Sequence, residues 1–170
     1  MKTYVLLAVI CVLASPLVAQ NPLSVSHKGV YTIAKTNVIR AADKMPEENY
    51  SFRATDAVRT FGQIVAHVAD AQYLFCSATL GEKNPSPGIE KSKTTKADLV
   101  KALNEAFAYC DKVYDGMTDA HAADMVKFFG RDTTKLAVLS FNSAHTMEHY
   151  GNIVTYMRLK NLVPPSSEGR

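Results

Sequence analysis

The sequence predicts an all-α protein, folded as a four-helix bundle with two long connections between its helices. Four segments repeat apolar residues at intervals of three and four, which is the spacing of an amphipathic helix. Strand patterns, in which apolar and polar residues alternate, are scarce. The chain has 170 residues, 47% of them hydrophobic, which is enough for one packed domain.

The first two predicted helices span residues 24–44 and 58–80. The first ends before Pro46, because proline disfavours helical backbone in the residue that precedes it. The second carries a face of apolar residues, and Gly81 after it is a typical C-terminal stop.

The third and fourth predicted helices span residues 94–116 and 132–161. Thr95, followed three residues later by Asp98, resembles a capping box with Asp in place of the usual Glu. The stretch before the third helix, residues 82–93, is polar and contains proline and glycine, so it is expected to form a surface loop. The segment between the two helices is less regular.

The first 19 residues have the anatomy of a secretory signal peptide. Lys2 supplies a positive charge, an apolar run follows at residues 4–13, and small residues lead to Ala19. The mature protein is therefore expected to begin near Gln20 and to be periplasmic or secreted. A retained N-terminal anchor is the alternative.

Residues 20–165 are expected to form the bundle domain, and residues 166–170 a disordered tail. No segment after the signal peptide is apolar enough to span a membrane. The net charge is +3 and the basic residues are scattered, which argues against a nucleic-acid partner. Cys76 and Cys110 remain after processing. An oxidising compartment permits a disulfide between them, and two small buried core residues are the alternative.

The candidate functional residues are three histidines. His145 and His149 are four residues apart on the fourth helix, which leaves their side chains ~40° apart around the helix axis. Two imidazoles in that relation can share one metal ion. His67 lies midway along the second helix on a face with Ile64 and Ala71, so it is also expected to point into the bundle.

Ligands on facing helices are a common way to build a metal site in a bundle core. Three neutral imidazoles suit a divalent transition metal (zinc, nickel, copper or ferrous iron), and three protein ligands leave a position open for water or substrate. The alternatives are a structural or surface pair on the fourth helix and a His67 that is an ordinary core residue. His27 and His121 have no partner at useful spacing and are expected at the surface.

Two acidic residues close to these histidines are the candidate catalytic groups. Glu148 immediately precedes His149, and it is expected to orient a ligand, to act as a base or to face solvent. Asp70 follows His67 by three residues and is either an acceptor for an imidazole N–H or an exposed acid. The run His145 to His149 also matches the inverted zinc-protease pattern, but those proteases need a much larger chain.

The second and fourth helices together resemble a known family. Residues 60–71 read TFGQIVAHVADA, residues 145–158 read HTMEHYGNIVTYMR, and residues 163–166 read VPPS. In order and separation these motifs resemble the DinB-like (YfiT-like) superfamily of bacterial four-helix-bundle metalloproteins, over nearly the whole mature chain.

The resemblance implies a bundle with a long crossover and a metal held by three histidines. His67 matches the family's single ligand on its second helix, and His145 and His149 match its pair on the fourth. Characterised relatives include thiol-dependent transferases and isomerases that use mycothiol or bacillithiol. Those thiols are cytosolic, so the predicted export makes them a less expected substrate class here. Because related bundles often dimerise, the resemblance also implies a homodimer.

Three functions are compatible with these features. The first is a metal-dependent hydrolase or thiol-type transferase acting on a small molecule, in which the metal lowers the pKa of a bound water or thiol. The second is a non-catalytic bundle that binds a metal or another ligand. The third is a structural bundle with buried histidines and no metal. The sequence favours the first slightly over the second.

Overall fold

The computed structural model describes residues 21–169 and has four long helices packed as a bundle. The long helices are α1 (Pro22–Lys44), α2 (Phe61–Leu80), α4 (Lys96–Gly116) and α6 (Lys135–Leu159). The short elements are α3 (Ile89–Ser92), α5 (Asp119–Ala122), β1 (Met125–Phe128), β2 (Arg131–Thr134) and two 3-10 turns at Glu47–Asn49 and Pro165–Ser167. The predicted all-α bundle is confirmed, and the predicted signal peptide lies outside the described residues.

The long helices are arranged so that sequence neighbours are not always spatial neighbours. Helix α2 packs against α4 and α6, and α1 packs against the same two helices. Helices α1 and α2 therefore occupy opposite corners of the bundle, as do α4 and α6. The connections at residues 45–60 and 117–134 each cross the bundle, which explains why both are long. Between residues 21 and 169, no helix is long and apolar enough to cross a membrane.

Local capping sets where the long helices begin. Helix α2 starts at Phe61, later than the sequence predicts, because Thr60 and Gln63 form a reciprocal capping box. The predicted pair at the start of α4 also forms, since the Asp98 backbone N–H donates to Thr95 Oγ1 at 3.2 Å. These caps fix the ends of the helices that carry and support the candidate site.

A buried polar contact joins α2 to α6. The Gln72 amide donates to Thr146 Oγ1 at 2.9 Å, and the Asn142 amide donates to Gln72 Oε1 at 3.0 Å. All three residues have no exposed surface. Because an unpaired buried polar group is costly, these bonds favour one position of α2 along α6.

Cys76 and Cys110 form a disulfide between α2 and α4. Their Cα atoms are 5.4 Å apart, and both residues are fully buried. The sequence left open whether these cysteines pair or are separate core residues. Pairing depends on the rotation of two packed helices, which the spacing of residues along one helix does not determine.

The segment before α6 forms a hairpin that the sequence pattern did not predict. Strands β1 and β2 pair antiparallel, with Phe128 opposite Arg131. Phe129 and Gly130 make the turn between them, both with positive φ. Phe128 packs edge-on against Phe75 of α2, with ring centroids 5.5 Å apart. The hairpin thus covers one side of the bundle.

Two residues of the stretch for which the sequence predicts a disordered tail, Ser166 and Glu168, contact the bundle. The backbone N–H of Ser166 donates to the Tyr150 hydroxyl at 3.0 Å. The Glu168 carboxylate accepts from Lys44 Nζ at 2.6 Å and pairs with Arg40. These contacts tie the tail to α1 and α6.

Candidate metal centre

The histidine cluster consists of His67 on α2 and of His145 and His149 on α6. The Nε2 atom of His145 lies 3.2 Å from Nε2 of His67 and 3.1 Å from Nε2 of His149. One nitrogen from each of the three rings lies within 4.8 Å of the others. A tetrahedral zinc site with Zn–N bonds of about 2.0–2.1 Å places its nitrogens roughly 3.3 Å apart. The three predicted ligands are therefore brought together with a spacing that fits one metal ion.

Burial keeps two of these imidazoles neutral. Burial, and after it the neighbouring His149 and His67, lower the pKa of His145 to about 4. Burial and then His67 also lower the pKa of His149 below its ordinary value. A neutral imidazole offers a lone pair, which is the form that binds a metal. The donor set thus fits a divalent transition metal in charge as well as in spacing.

One side of the cluster, the hairpin side, is aromatic. The His145 ring packs edge-on against Phe75 and is tilted against Phe141, with centroids 5.3 and 6.3 Å apart. Phe128 of the hairpin packs on both phenylalanines. Among the described residues, the buried Nδ1 atom of His145 has no hydrogen-bond partner. Ring packing therefore orients this imidazole.

The other side, the cavity side, is polar. A cavity of about 750 Å³ opens beside His149. Its lining includes the charged side chains of Arg59, Glu90 and Glu148. Asn152 also lines it, and its amide lies 3.4 Å from Nδ1 of His149. A small polar molecule in this cavity would lie against the cluster.

Glu90 is the residue that connects the cavity to His67. Its Oε2 atom lies 3.3 Å from Nδ1 of His67, and its Oε1 atom accepts from Nε of Arg59 at 2.8 Å. The side chains of Glu90 and His67 are each 26% exposed. A carboxylate at the second nitrogen of a metal-binding imidazole is a common feature of metal sites in proteins.

The family model of the DinB superfamily matches residues 31–153, which is most of the chain. The chain belongs to the DinB superfamily. The match covers all of α2 and α6 as far as residue 153, which includes the three histidines, so the resemblance to this family is confirmed.

DinB-like proteins of known structure share the fold. A DinB-like protein from Bacillus cereus superposes with a TM-score of 0.72 at 18% identity, over 82% of this chain and 93% of that one. A DinB-like protein from Bacillus subtilis superposes with a TM-score of 0.67 at 19% identity, over 88% of this chain and 100% of that one. A mutant form of the mycothiol-dependent maleylpyruvate isomerase superposes with a TM-score of 0.64 at 15% identity, over 76% of this chain and 60% of that one. No curated protein matches the chain.

Asp70 lies elsewhere than expected within this DinB fold. Its carboxylate accepts hydrogen bonds from three backbone N–H groups, those of residues 88 to 90. It is therefore neither an exposed acid nor a partner of an imidazole. The carboxylate beside His67 is that of Glu90, which comes from the loop that the sequence marks as polar.

Sequence reasoning missed Glu90 because a loop carries no periodic pattern. One signal was present: Ile89 is the one aliphatic residue in the stretch 82–93, and it is 3% exposed. An aliphatic residue in a polar loop indicates an anchor in the core, and its neighbour is then held in place. His121 is exposed as predicted, whereas His27 is half-buried and stacks on Tyr114.

Proposed function

We propose that this DinB-superfamily protein binds one divalent transition metal through His67, His145 and His149 and acts as a metal-dependent hydrolase or transferase on a small molecule. The observation that carries the proposal is the convergence of one ring nitrogen from each of the three histidines, within 4.8 Å of one another, beside a cavity of about 750 Å³. A metal held there would be a Lewis acid that lowers the pKa of a water or thiol.

Side chains in the cavity would supply the remaining chemistry. Glu148 lines the cavity next to His149, where its carboxylate would accept a proton from a nucleophile and return it to a leaving group. The guanidinium of Arg59, held by Glu90, would stabilise negative charge that develops on the substrate. The aromatic rings beside His145 would keep water away from the other side of the cluster.

A non-catalytic metal- or ligand-binding bundle is the second candidate. It is supported by the hydrogen bonds of Asp70 and Glu90. The Asp70 carboxylate accepts from the backbone of the turn at Ile89, and the Glu90 carboxylate accepts from Arg59. Of the two acidic residues that line the cavity, Glu148 is then the one available as a base. Loss of activity in Glu148→Gln, with metal retained, would favour the enzyme over the binder.

Metal content of the purified mature protein tests the site. We expect about one divalent ion per chain in the wild type, consistent with one three-histidine site, and none in His145→Ala. The matched control is His121→Ala, which removes an exposed histidine and should keep the metal. A wild-type protein that binds no metal contradicts the proposal.

If metal is present, a screen with esters, amides and thiol acceptors separates an enzyme from a binder. We expect turnover of at least one class by the wild type, and its loss in His67→Ala. Turnover that survives loss of His67 would contradict the mechanism.

We also propose that the protein is exported, with cleavage near Ala19. A buried disulfide between Cys76 and Cys110 supports this, because disulfides persist in oxidising compartments. N-terminal sequencing of the protein recovered outside the cytoplasm should begin near Gln20. Full-length protein confined to the cytoplasm would contradict export.

A further inference from the structure

The short turn α3 is held in place by Asp70. The Asp70 carboxylate on α2 accepts from the backbone N–H groups of Gly88, Ile89 and Glu90 at 2.9, 2.8 and 2.9 Å. Gly88 has a φ of +87°, in the left-handed region that favours glycine, and this turns the chain into α3. Ile89, at 3% exposed, anchors the turn in the core. Asp70 therefore determines where the loop lies against α2.

The held turn places the Glu90 carboxylate between two side chains. Arg59 donates to one oxygen at 2.8 Å, and Nδ1 of His67 lies 3.3 Å from the other. Oε2 of Glu90 lies within ion-pair distance of Nδ1 of His67. A carboxylate has only lone pairs to offer, so its closeness favours the neutral His67 tautomer that carries the proton on Nδ1. The lone pair is then on Nε2, the atom that lies 3.2 Å from His145.

We infer that Glu90 and Asp70 are positioning residues for the metal site. Glu90 holds His67 in the tautomer and ring orientation that a metal needs, and Asp70 acts one step further out by folding the turn that carries Glu90. The inference rests on the proposed metal site. It adds two acidic residues, 20 positions apart in sequence, that set the metal affinity without contacting the metal.

The other two histidines have weaker support at their second nitrogen. Nδ1 of His145 has no hydrogen-bond partner among the described residues, and Nδ1 of His149 lies 3.4 Å from the amide of Asn152. Within residues 21–169, Glu90 is the one carboxylate that pairs with a member of the histidine cluster. Loss of Glu90 should therefore weaken the site more than loss of Asn152.

Metal affinity tests the inference. Co²⁺ and Zn²⁺ dissociation constants are measured on the full mature chain by competition with a chelator. We expect Glu90→Ala to weaken binding by about 10- to 100-fold, the range typical of such outer partners. Glu90→Gln keeps an acceptor oxygen without the charge and should retain part of the affinity. Lys91→Ala, at an exposed position in the same turn, is the matched control and should bind as the wild type does.

Asp70 is tested through its dependence on Glu90. Asp70→Asn should weaken metal binding, because the turn that carries Glu90 loosens. If Asp70 acts through Glu90, the double variant Asp70→Asn/Glu90→Ala should bind no more weakly than Glu90→Ala alone. Additive losses of metal affinity would show that Asp70 does not act through Glu90, which overturns the positioning role inferred for Asp70.

The tautomer of His67 gives a readout that a merely structural role would not change. In metal-free protein, ¹⁵N NMR of the imidazoles should show His67 protonated on Nδ1 in the wild type. In Glu90→Ala, with the fold verified by circular dichroism, we expect the proton to shift toward Nε2. An unchanged tautomer, or a Glu90→Ala affinity equal to that of the wild type, overturns the inference.

These outcomes separate the inference from the proposed function. A wild-type protein that binds no metal overturns the metal site and the affinity role assigned to Glu90. A wild-type protein that binds metal as tightly as Glu90→Ala overturns the positioning role alone. The NMR measurement is made without metal, so it tests the effect of Glu90 on the His67 tautomer independently of both.

Discussion

The cavity side and the hairpin side of the histidine cluster orient their imidazoles by different forces. On the cavity side, the Glu90 carboxylate lies 3.3 Å from Nδ1 of His67. On the hairpin side, Phe75 and Phe141 pack against His145, and its Nδ1 atom has no partner among the described residues. A polar contact orients the His67 ring, and close packing orients the His145 ring.

The difference teaches how one cluster can be rigid and still accessible. A polar side can admit a substrate, because water and ligand exchange for one another at hydrogen-bonding groups. An aromatic side excludes water, and this desolvation lowers the pKa of His145 to about 4. Four variants or conditions test this comparison.

The largest effect is expected from Phe75→Ala on the hairpin side. Phe75 is 2% exposed and contacts Phe128, Phe141 and His145. Its removal should lower the free energy of unfolding by about 3–5 kcal/mol, as is typical for a buried phenylalanine. Urea denaturation measures this change.

The control for that variant is Phe129→Ala in the same hairpin. Phe129 is 69% exposed, so its loss should change stability by less than about 0.5 kcal/mol. If both variants lowered the free energy of unfolding by similar amounts, the hairpin side would not be held together by the packing of Phe75.

Metal addition tests whether the two sides act on one site. At a free metal concentration of about 100 Kd, binding should raise the free energy of unfolding by about 2.7 kcal/mol. The increase should vanish in His67→Ala and in His145→Ala alike, because each removes one of the three proposed ligands. Denaturation with and without a chelator measures it. A stabilisation that persists in either variant would place the metal elsewhere.

Both sides depend on the polar contact that joins α2 to α6. Gln72→Leu should cost about 1–3 kcal/mol, because it removes the closest hydrogen-bond partner of the buried Asn142 amide and the bond to Thr146 Oγ1. Denaturant unfolding measures the loss. Asn104→Leu, at an exposed site on α4, is the control and should have little effect. Equal stability of the two variants would mean that the contact does not hold the helices in register.

The smallest effect is expected from pH on metal-free protein. The pKa of His145 is about 4 in the folded state, below its ordinary value of 6.5, so between these values the unfolded chain binds more protons. Stability should therefore fall as the pH is lowered from 6.5 toward about 4. Urea midpoints measured in chelator across this range test the sign. His145→Gln should show a shallower dependence, and an identical one would contradict the role of burial on the hairpin side.

The sequence predicted the parts of this fold in which apolar residues recur at regular intervals. Apolar spacing located all four long helices, and the pair Thr95 and Asp98 located the start of α4. The histidine cluster followed from helical spacing together with the family motifs, since spacing alone leaves the rotation of each helix open. The structure brings the three nitrogens together.

The parts that could not be predicted depend on contacts between distant residues. Helix α3 is four residues long and needs the Asp70 carboxylate from another element. The hairpin needs a turn in which Phe129 adopts a positive φ, which its residue type disfavours. Phe141 is 48% exposed although it lies on the helix that carries His145 and His149, because the hairpin lies beside it.

The disulfide between α2 and α4 has a consequence for a chain that is cut. The bond joins Cys76 to Cys110, and the loop at residues 82–88 lies between them. A single cleavage in that loop would separate the backbone that carries His67 from the backbone that carries His145. The two pieces would still be one covalent molecule through sulfur, and would come apart on a denaturing gel only after reduction. The disulfide would in this way keep His67 and His145 in one molecule after a single cut.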